Sequence, residues 1–206
     1  MGRATEAVRR WARGAVVASS VLLCTRAAGA QGVELAPFAG VQFPGYVSSA
    51  ANGRPVSLGI GLDYGGTLDI GVAPGWRVEL MYSRQATELS SQGGPSFGLN
   101  LERYLVGIQE EKGDPRLRFF GVFLAGLTRF APGLDGYDSD VRFTLGLSLG
   151  LKRALSERFG FRAEARGFFV NVNSGGGVVC SGSCLFVFRG SGLWQGDLSA
   201  GFTMAF

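Results

Sequence analysis

An all-β chain, folded as an eight-stranded antiparallel up-and-down transmembrane β-barrel, is predicted by three features of this sequence. Period-2 alternation of apolar and polar residues recurs in eight segments separated by turn signals. No apolar run reaches the ~18 residues of a membrane helix, and the longest, 119–127, is interrupted by Gly121 and Gly126. The final segment, 194–206, sets Trp194, Leu198, Ala200, Phe202, Met204 and Phe206 on one face against Gln195, Asp197, Ser199, Gly201 and Thr203 on the other. A chain that spans lipid without a helix must close its sheet, because an open edge leaves backbone N–H and C=O groups unsatisfied.

Ahead of the barrel, Arg3, Arg9, Arg10 and Arg13 precede an apolar stretch, 15–24, and the small residues Ala28, Gly29 and Ala30. This is the layout of a cleaved signal peptide, so residues 1–30 are expected to leave and 31–206 to form a single barrel domain. The stretch is about half the ~20 residues that a spanning helix needs. Cys24 follows Leu22 and Leu23, where a lipoprotein signal carries small residues. The Arg9-Arg10 pair fits an ordinary basic leader better than a twin-arginine one, since a barrel crosses the inner membrane unfolded. The leader holds five of the twenty basic residues and one of the sixteen acids, so the net charge of +4 vanishes from the remaining 176 residues. Nucleic acid is accordingly not expected as a partner.

The first strand, near 33–43, places Val33, Leu35, Ala39, Val41 and Phe43 against Glu34, Gly40 and Gln42. The second keeps one phase across 57–70, with Leu58, Ile60, Leu62, Tyr64, Leu68 and Ile70 opposed to Ser57, Gly59, Gly61, Asp63, Thr67 and Asp69. After a tight turn at Ala73-Pro74-Gly75 the third sets Trp76, Val78, Leu80 and Tyr82 against Arg77, Glu79 and Ser83, with Met81 as the exception. Its terminal aromatics mark interface girdles. The fourth, near 97–109, and the fifth, near 116–129, alternate poorly, and 119–127 is apolar on both faces. Either a bulge or a locally apolar lumen accounts for this. The sixth opposes Phe143, Leu145, Leu147, Leu149 and Leu151 to Arg142, Thr144, Gly146, Ser148, Gly150 and Lys152, and the seventh opposes Phe159, Phe161, Ala163, Ala165 and Phe169 to Arg162, Glu164 and Arg166. Segment 194–206 closes the sheet. Short turns fall near 73–75, 111–115 and 154–158, whereas the longer connections 44–56, 86–95, 131–140 and 173–192 belong to the other end. Eight strands leave an interior about wide enough for side chains to fill.

Nine charges fall on the inward face: Asp63, Asp69, Arg77, Glu79, Lys152, Arg162, Glu164, Arg166 and Asp197. They are expected to pair across the lumen, where an uncompensated charge costs several kcal/mol; the alternative is a polar path for ions or solutes. Cys180 and Cys184, in the longest loop of an exported chain, are expected to form a local disulfide. A metal or redox pair finds no further ligand, as there is no histidine and the only other cysteine lies in the leader. The lack of histidine also argues against an enzyme built on an activated nucleophile. Asp135, Asp138 and Asp140 lack the spacing of a calcium loop and read as a solvated acidic loop. Gly59, Gly61 and Gly65 precede no helix, so they are small residues facing a crowded lumen and not a nucleotide loop. No catalytic residue, metal ligand or cofactor is assigned.

The segments Val78-Glu79-Leu80-Met81-Tyr82-Ser83-Arg84-Gln85, Phe161-Arg162-Ala163-Glu164-Ala165-Arg166 and Leu198-Ser199-Ala200-Gly201-Phe202-Thr203-Met204-Ala205-Phe206 resemble the small outer-membrane β-barrel proteins of the OmpA and OmpX type. The resemblance covers all of 31–206. It implies an outer-membrane location with both barrel ends periplasmic, outer-membrane lipid around the barrel, and the barrel-assembly machinery as a transient partner reading Phe202, Met204 and Phe206. The peptidoglycan-binding domain of OmpA has no counterpart, so cell-wall anchoring is not implied. Because this barrel shape serves many functions, the expected role is a non-enzymatic integral barrel whose external loops provide surface interaction or envelope integrity. A narrow channel for small or apolar solutes is the alternative, and a lipid-modifying enzyme comes third. A soluble lipocalin-like binder would instead turn its apolar residues inward.

Overall fold

The computed structural model describes residues 32–43, 46–49, 55–91, 97–132, 139–171, 177–181, 183–189 and 192–206, with side chains described for 32–43, 59–87, 98–131, 139–171 and 192–206. The expected signal peptide, Cys24, Asp135 and Asp138 lie outside the described residues. Within them, twelve strands follow in order: β1 Val33–Gln42, β2 Tyr46–Ser49, β3 Pro55–Leu58, β4 Gly61–Ala73, β5 Trp76–Ser91, β6 Phe97–Gly113, β7 Leu117–Pro132, β8 Asp140–Ala154, β9 Phe159–Val170, β10 Gly177–Ser181, β11 Ser183–Arg189 and β12 Leu193–Ala205. Eight of them form a ring of antiparallel pairs, β1–β4–β5–β6–β7–β8–β9–β12 and back to β1. The closed eight-stranded antiparallel barrel satisfies every edge by closure.

Register fixes the strand inclination. Following cross-strand partners from Val33 through Ile70, Val78, Ile108, Phe123, Leu147, Gly167 and Gly196 leads back to β1 at Phe43, whose N–H bonds the Gly196 carbonyl at 2.8 Å. The circuit has climbed ten residues along one strand, a stagger that corresponds to strands tilted roughly 35–45° from the barrel axis. The tight turns lie at one end. Gly75 there takes φ +76°, the left-handed region that a glycine after proline supplies without strain. At the other end β3 pairs with the far end of β5, β2 with β3, β11 with β2, and β10 with β11.

Two details differ from the sequence reading, and a third decides between its two alternatives. The second segment is interrupted after Leu58, where Gly59 and Ile60 separate β3 from β4; the Thr87 hydroxyl donates to the Gly59 carbonyl at 2.8 Å and so occupies a backbone acceptor at the break. β5 continues to Ser91, taking up part of the expected loop 86–95; connection 44–56 contains β2 and the first two residues of β3, and connection 173–192 contains β10 and β11. The poor alternation near 119–127 is an apolar lumen and not a bulge. The β6–β7 register runs unshifted from Leu99–Pro132 to Gly113–Arg118, and Phe120, Val122 and Leu124 point inward, joining Phe38, Met81, Leu105 and Phe168 in one buried cluster.

The two faces of the wall invert the pattern of a water-soluble protein. Leu62, Leu149 and Phe202 are 72%, 73% and 65% exposed, whereas Asp69, Glu79 and Arg103 are 0% exposed. Close approach between strands explains one glycine in particular: a Cβ at Gly65 would collide with the Tyr82 carbonyl on β5.

Candidate functional site

Because side chains alternate faces along a strand, one phase of each barrel strand delivers its polar residues to the lumen. Within a ring this narrow they meet across it. Lys152 on β8 lies with its ammonium 2.8 Å from Glu34, 2.6 Å from Asp69 and 2.8 Å from Glu111. Arg118 bridges Glu111 and Glu34 at 2.7 and 3.4 Å, and Arg77, at the turn end and partly exposed, reaches Glu111 at 3.3 Å. One layer further along, Arg162 spreads its guanidinium over Asp69 at 3.0 Å, Glu79 at 2.7 Å and Glu164 at 2.9 Å, and also donates to the Thr67 hydroxyl at 3.1 Å. Glu164 then holds Arg166 at 2.8 Å, and Arg166 reaches Asp197 at 3.4 Å.

Arg103 on β6 sits above this chain of charges. It donates to Gln195 at 2.8 Å and Gln85 at 3.4 Å and faces Asp63 at 3.8 Å. Aromatic rings complete the surroundings: Phe120 lies 4.3 Å from the Arg162 guanidinium, Phe38 4.0 Å from Arg166 and Phe168 4.7 Å from Arg103, distances at which a desolvated cation is attracted to the ring face. Among the described residues these contacts join seven carboxylates (Glu34, Asp63, Asp69, Glu79, Glu111, Glu164, Asp197) and six cations (Arg77, Arg103, Arg118, Lys152, Arg162, Arg166) across the lumen, and Asp140 and Arg142 pair with each other on the same face of β8 at its loop end. Near balance matters, because taking either sign out of water alone costs far more than burying the pair.

Of the nine charges identified by alternation, eight join one connected set once Glu111 links Arg77 to Lys152, and Asp63 stands apart with Arg103. Glu34, Arg103, Glu111 and Arg118 were not identified from sequence. Arg103 and Glu111 lie on β6, where inward neighbours such as Leu101 and Leu105 are themselves apolar, so polar-against-apolar contrast gives no phase. Glu34 was in phase on the polar face, and its register partner is Asp69. Cys180 stands opposite Cys184 in the β10–β11 register; their side chains lie outside the described residues. Asp140 pairs with Arg142 at 2.6 Å. Phe202 and Phe206 are exposed on the outer wall, and the Phe206 N–H donates to the Val33 carbonyl at 2.9 Å.

No protein-family profile matches the chain, and no curated protein matches it. Solved structures share its fold. Neisserial surface protein A aligns at 16% identity over 85% of this chain and 97% of that one, with a TM-score of 0.59. Outer membrane protein AlkL, solved in DMPC lipid bilayers, aligns at 15% identity over 85% of this chain and 90% of that one, with a TM-score of 0.52. The chain thus has the architecture of small outer-membrane eight-stranded barrels.

Proposed function

We propose that this chain is a non-enzymatic integral outer-membrane protein, a barrel closed inside by its own side chains, whose external segments act in surface interaction or envelope integrity. The observation that carries the reading is the inversion of burial: ionised residues are enclosed while leucine and phenylalanine cover the outer wall, an arrangement stable only where the surroundings are hydrocarbon. The basic, apolar and small-residue segment 1–30 and the alternating last strand with Phe202 and Phe206 on its outer face fit export and assembly, with outer-membrane lipid and the assembly machinery as partners and both barrel ends in the periplasm. A disulfide between Cys180 and Cys184 would fasten the β10–β11 hairpin, since opposed positions of an antiparallel pair have the Cα separation a disulfide accepts.

The test is complementation of a deletion strain by the full chain and by a chain with segments 44–56 and 173–192 shortened. The reading expects the shortened barrel to reach the outer membrane yet leave the strain's attachment or detergent-sensitivity defect unrepaired; full repair would overturn it. A narrow channel is the second reading. It is favoured by Gln42, which is fully buried with neither amide atom hydrogen-bonded among the described residues, so the loop-side half of the lumen offers polar groups to a passing solute. A changed uptake of small solutes in the deletion strain would support it.

A further inference from the structure

The outer wall carries a polar feature that the lumen does not use. Outward positions on β1, β4, β9 and β12 carry no charge, and on β8 the outward charge is Arg153, beside the turn that follows that strand. On β5, β6 and β7, by contrast, Arg84, Glu102 and Arg129 stand in one cross-strand row toward the loop end. Arg129 lies 3.3 Å from Glu102 Oε2, the Tyr104 hydroxyl donates to the same oxygen at 3.5 Å, and Arg84 Nη2 donates to Asn100 Oδ1 at 3.5 Å. Two guanidiniums thus flank a single carboxylate, which leaves the row positive. Charge on a lipid-facing wall is costly at the midplane and tolerated near an interface, so the row belongs at head-group level.

Two residues nearer the tight turns, the next row is apolar and aromatic: Tyr82, Tyr104 and Leu127, with the two tyrosine rings 5.2 Å apart. The wall is indented there. An open groove of about 650 Å³ is bordered by Leu35, Leu68, Leu80, Tyr82, Tyr104 and Leu127. Gly66, also on its lining, has no side chain to fill the space between Tyr64 and Leu68, and a Cβ there would find its nearest neighbour at 3.8 Å.

We propose that the arginine row and this groove form a binding site for a phosphorylated, acylated glycolipid of the leaflet that faces the loops, an inference that rests on the reading of the chain as an outer-membrane barrel. An acyl chain lies in the groove and a head-group phosphate spans Arg84 and Arg129, whose forked donors match phosphate oxygens. Sugar hydroxyls meet Asn100 and Glu102 between them. The tyrosine pair lies at the boundary of head group and chain, where aromatic rings with one wet end are favoured.

The full chain, extracted from membranes and folded in detergent, is titrated in native mass spectrometry with bisphosphorylated lipid A, with the same lipid stripped of phosphate, and with phosphatidylglycerol. The site predicts that lipid A is retained about tenfold more strongly than either comparison lipid. It also predicts that Arg84→Ala combined with Arg129→Ala removes this preference, whereas Arg153→Ala leaves it intact. Equal retention of the three lipids by the wild-type chain, or an undiminished preference in the double variant, overturns the site. Insertion into lipid vesicles is measured in parallel: inserted protein without a lipid preference overturns the site alone, and failure to insert overturns the membrane reading with it.

Discussion

At Lys152 a single ammonium, 1% exposed, lies within 2.8 Å of carboxylates from β1, β4 and β6. Lys152→Met keeps the bulk and removes the charge, leaving Glu34, Asp69 and Glu111 with less compensation; it should lower stability by about 3–5 kcal/mol. The urea midpoint for unfolding from lipid vesicles reads this directly, and a loss under about 1 kcal/mol would mean that the site is wet. The outer wall gives a complementary comparison. Leu147, in the middle of β8, and Leu155, in the turn beyond it, are each 65% exposed. In water the two would respond alike to arginine; in a bilayer Leu147→Arg should cost about 2–4 kcal/mol and Leu155→Arg about 0–1. Among the described residues, alternation alone made nine of the thirteen charges that meet across the lumen legible in the sequence. Arg103 was not, because Leu101 and Leu105 share its inward phase and an apolar lumen erases the contrast that assigns a face.

At the scale of strands, β7 shows why patterning stops being informative where both sides of a wall are apolar. Phe119 and Phe120 are neighbours in sequence, yet Phe119 is 58% exposed and Phe120 4%, the latter under Arg162 and Lys152. Phe120→Ala should destabilise by about 3–5 kcal/mol through the cavity it leaves, and Phe119→Ala by far less; equal losses in the same unfolding measurement would put a bulge back into β7. Other boundaries escaped sequence reading for a different reason. The break at Gly59 and Ile60 is invisible in the sequence, where the apolar residues keep every second place, yet the register against β5 shifts by one residue across it, from Leu58 opposite Leu89 to Leu62 opposite Ala86. For the β10–β11 hairpin, alkylation and mass spectrometry of protein taken from the envelope should find Cys180 and Cys184 modified only after reduction. Two thiols modified without reductant would rule the bridge out.

On the scale of the molecule, closure and stagger work together. Eight strands with a ten-residue climb set a narrow bore, and the inward side chains divide it between a charged set to which all eight barrel strands contribute, β7 through Arg118, and an apolar cluster to which β6 and β7 contribute Leu105, Phe120, Val122 and Leu124. Fold class, strand number and the sense of each clean strand were legible because lipid on one side and a crowded lumen on the other impose period 2 over long stretches. Pairings between distant charges were not, since they depend on the stagger, which no local pattern records. The proposed function depends most on whether this interior is shut. Conductance of residues 31–206, refolded and shown independently to have inserted into a planar bilayer, tests that directly, with Arg77→Ala and Glu164→Ala recorded alongside. A silent wild-type protein is the predicted result; discrete wild-type openings altered by either substitution would make the lumen a solute path and contradict it.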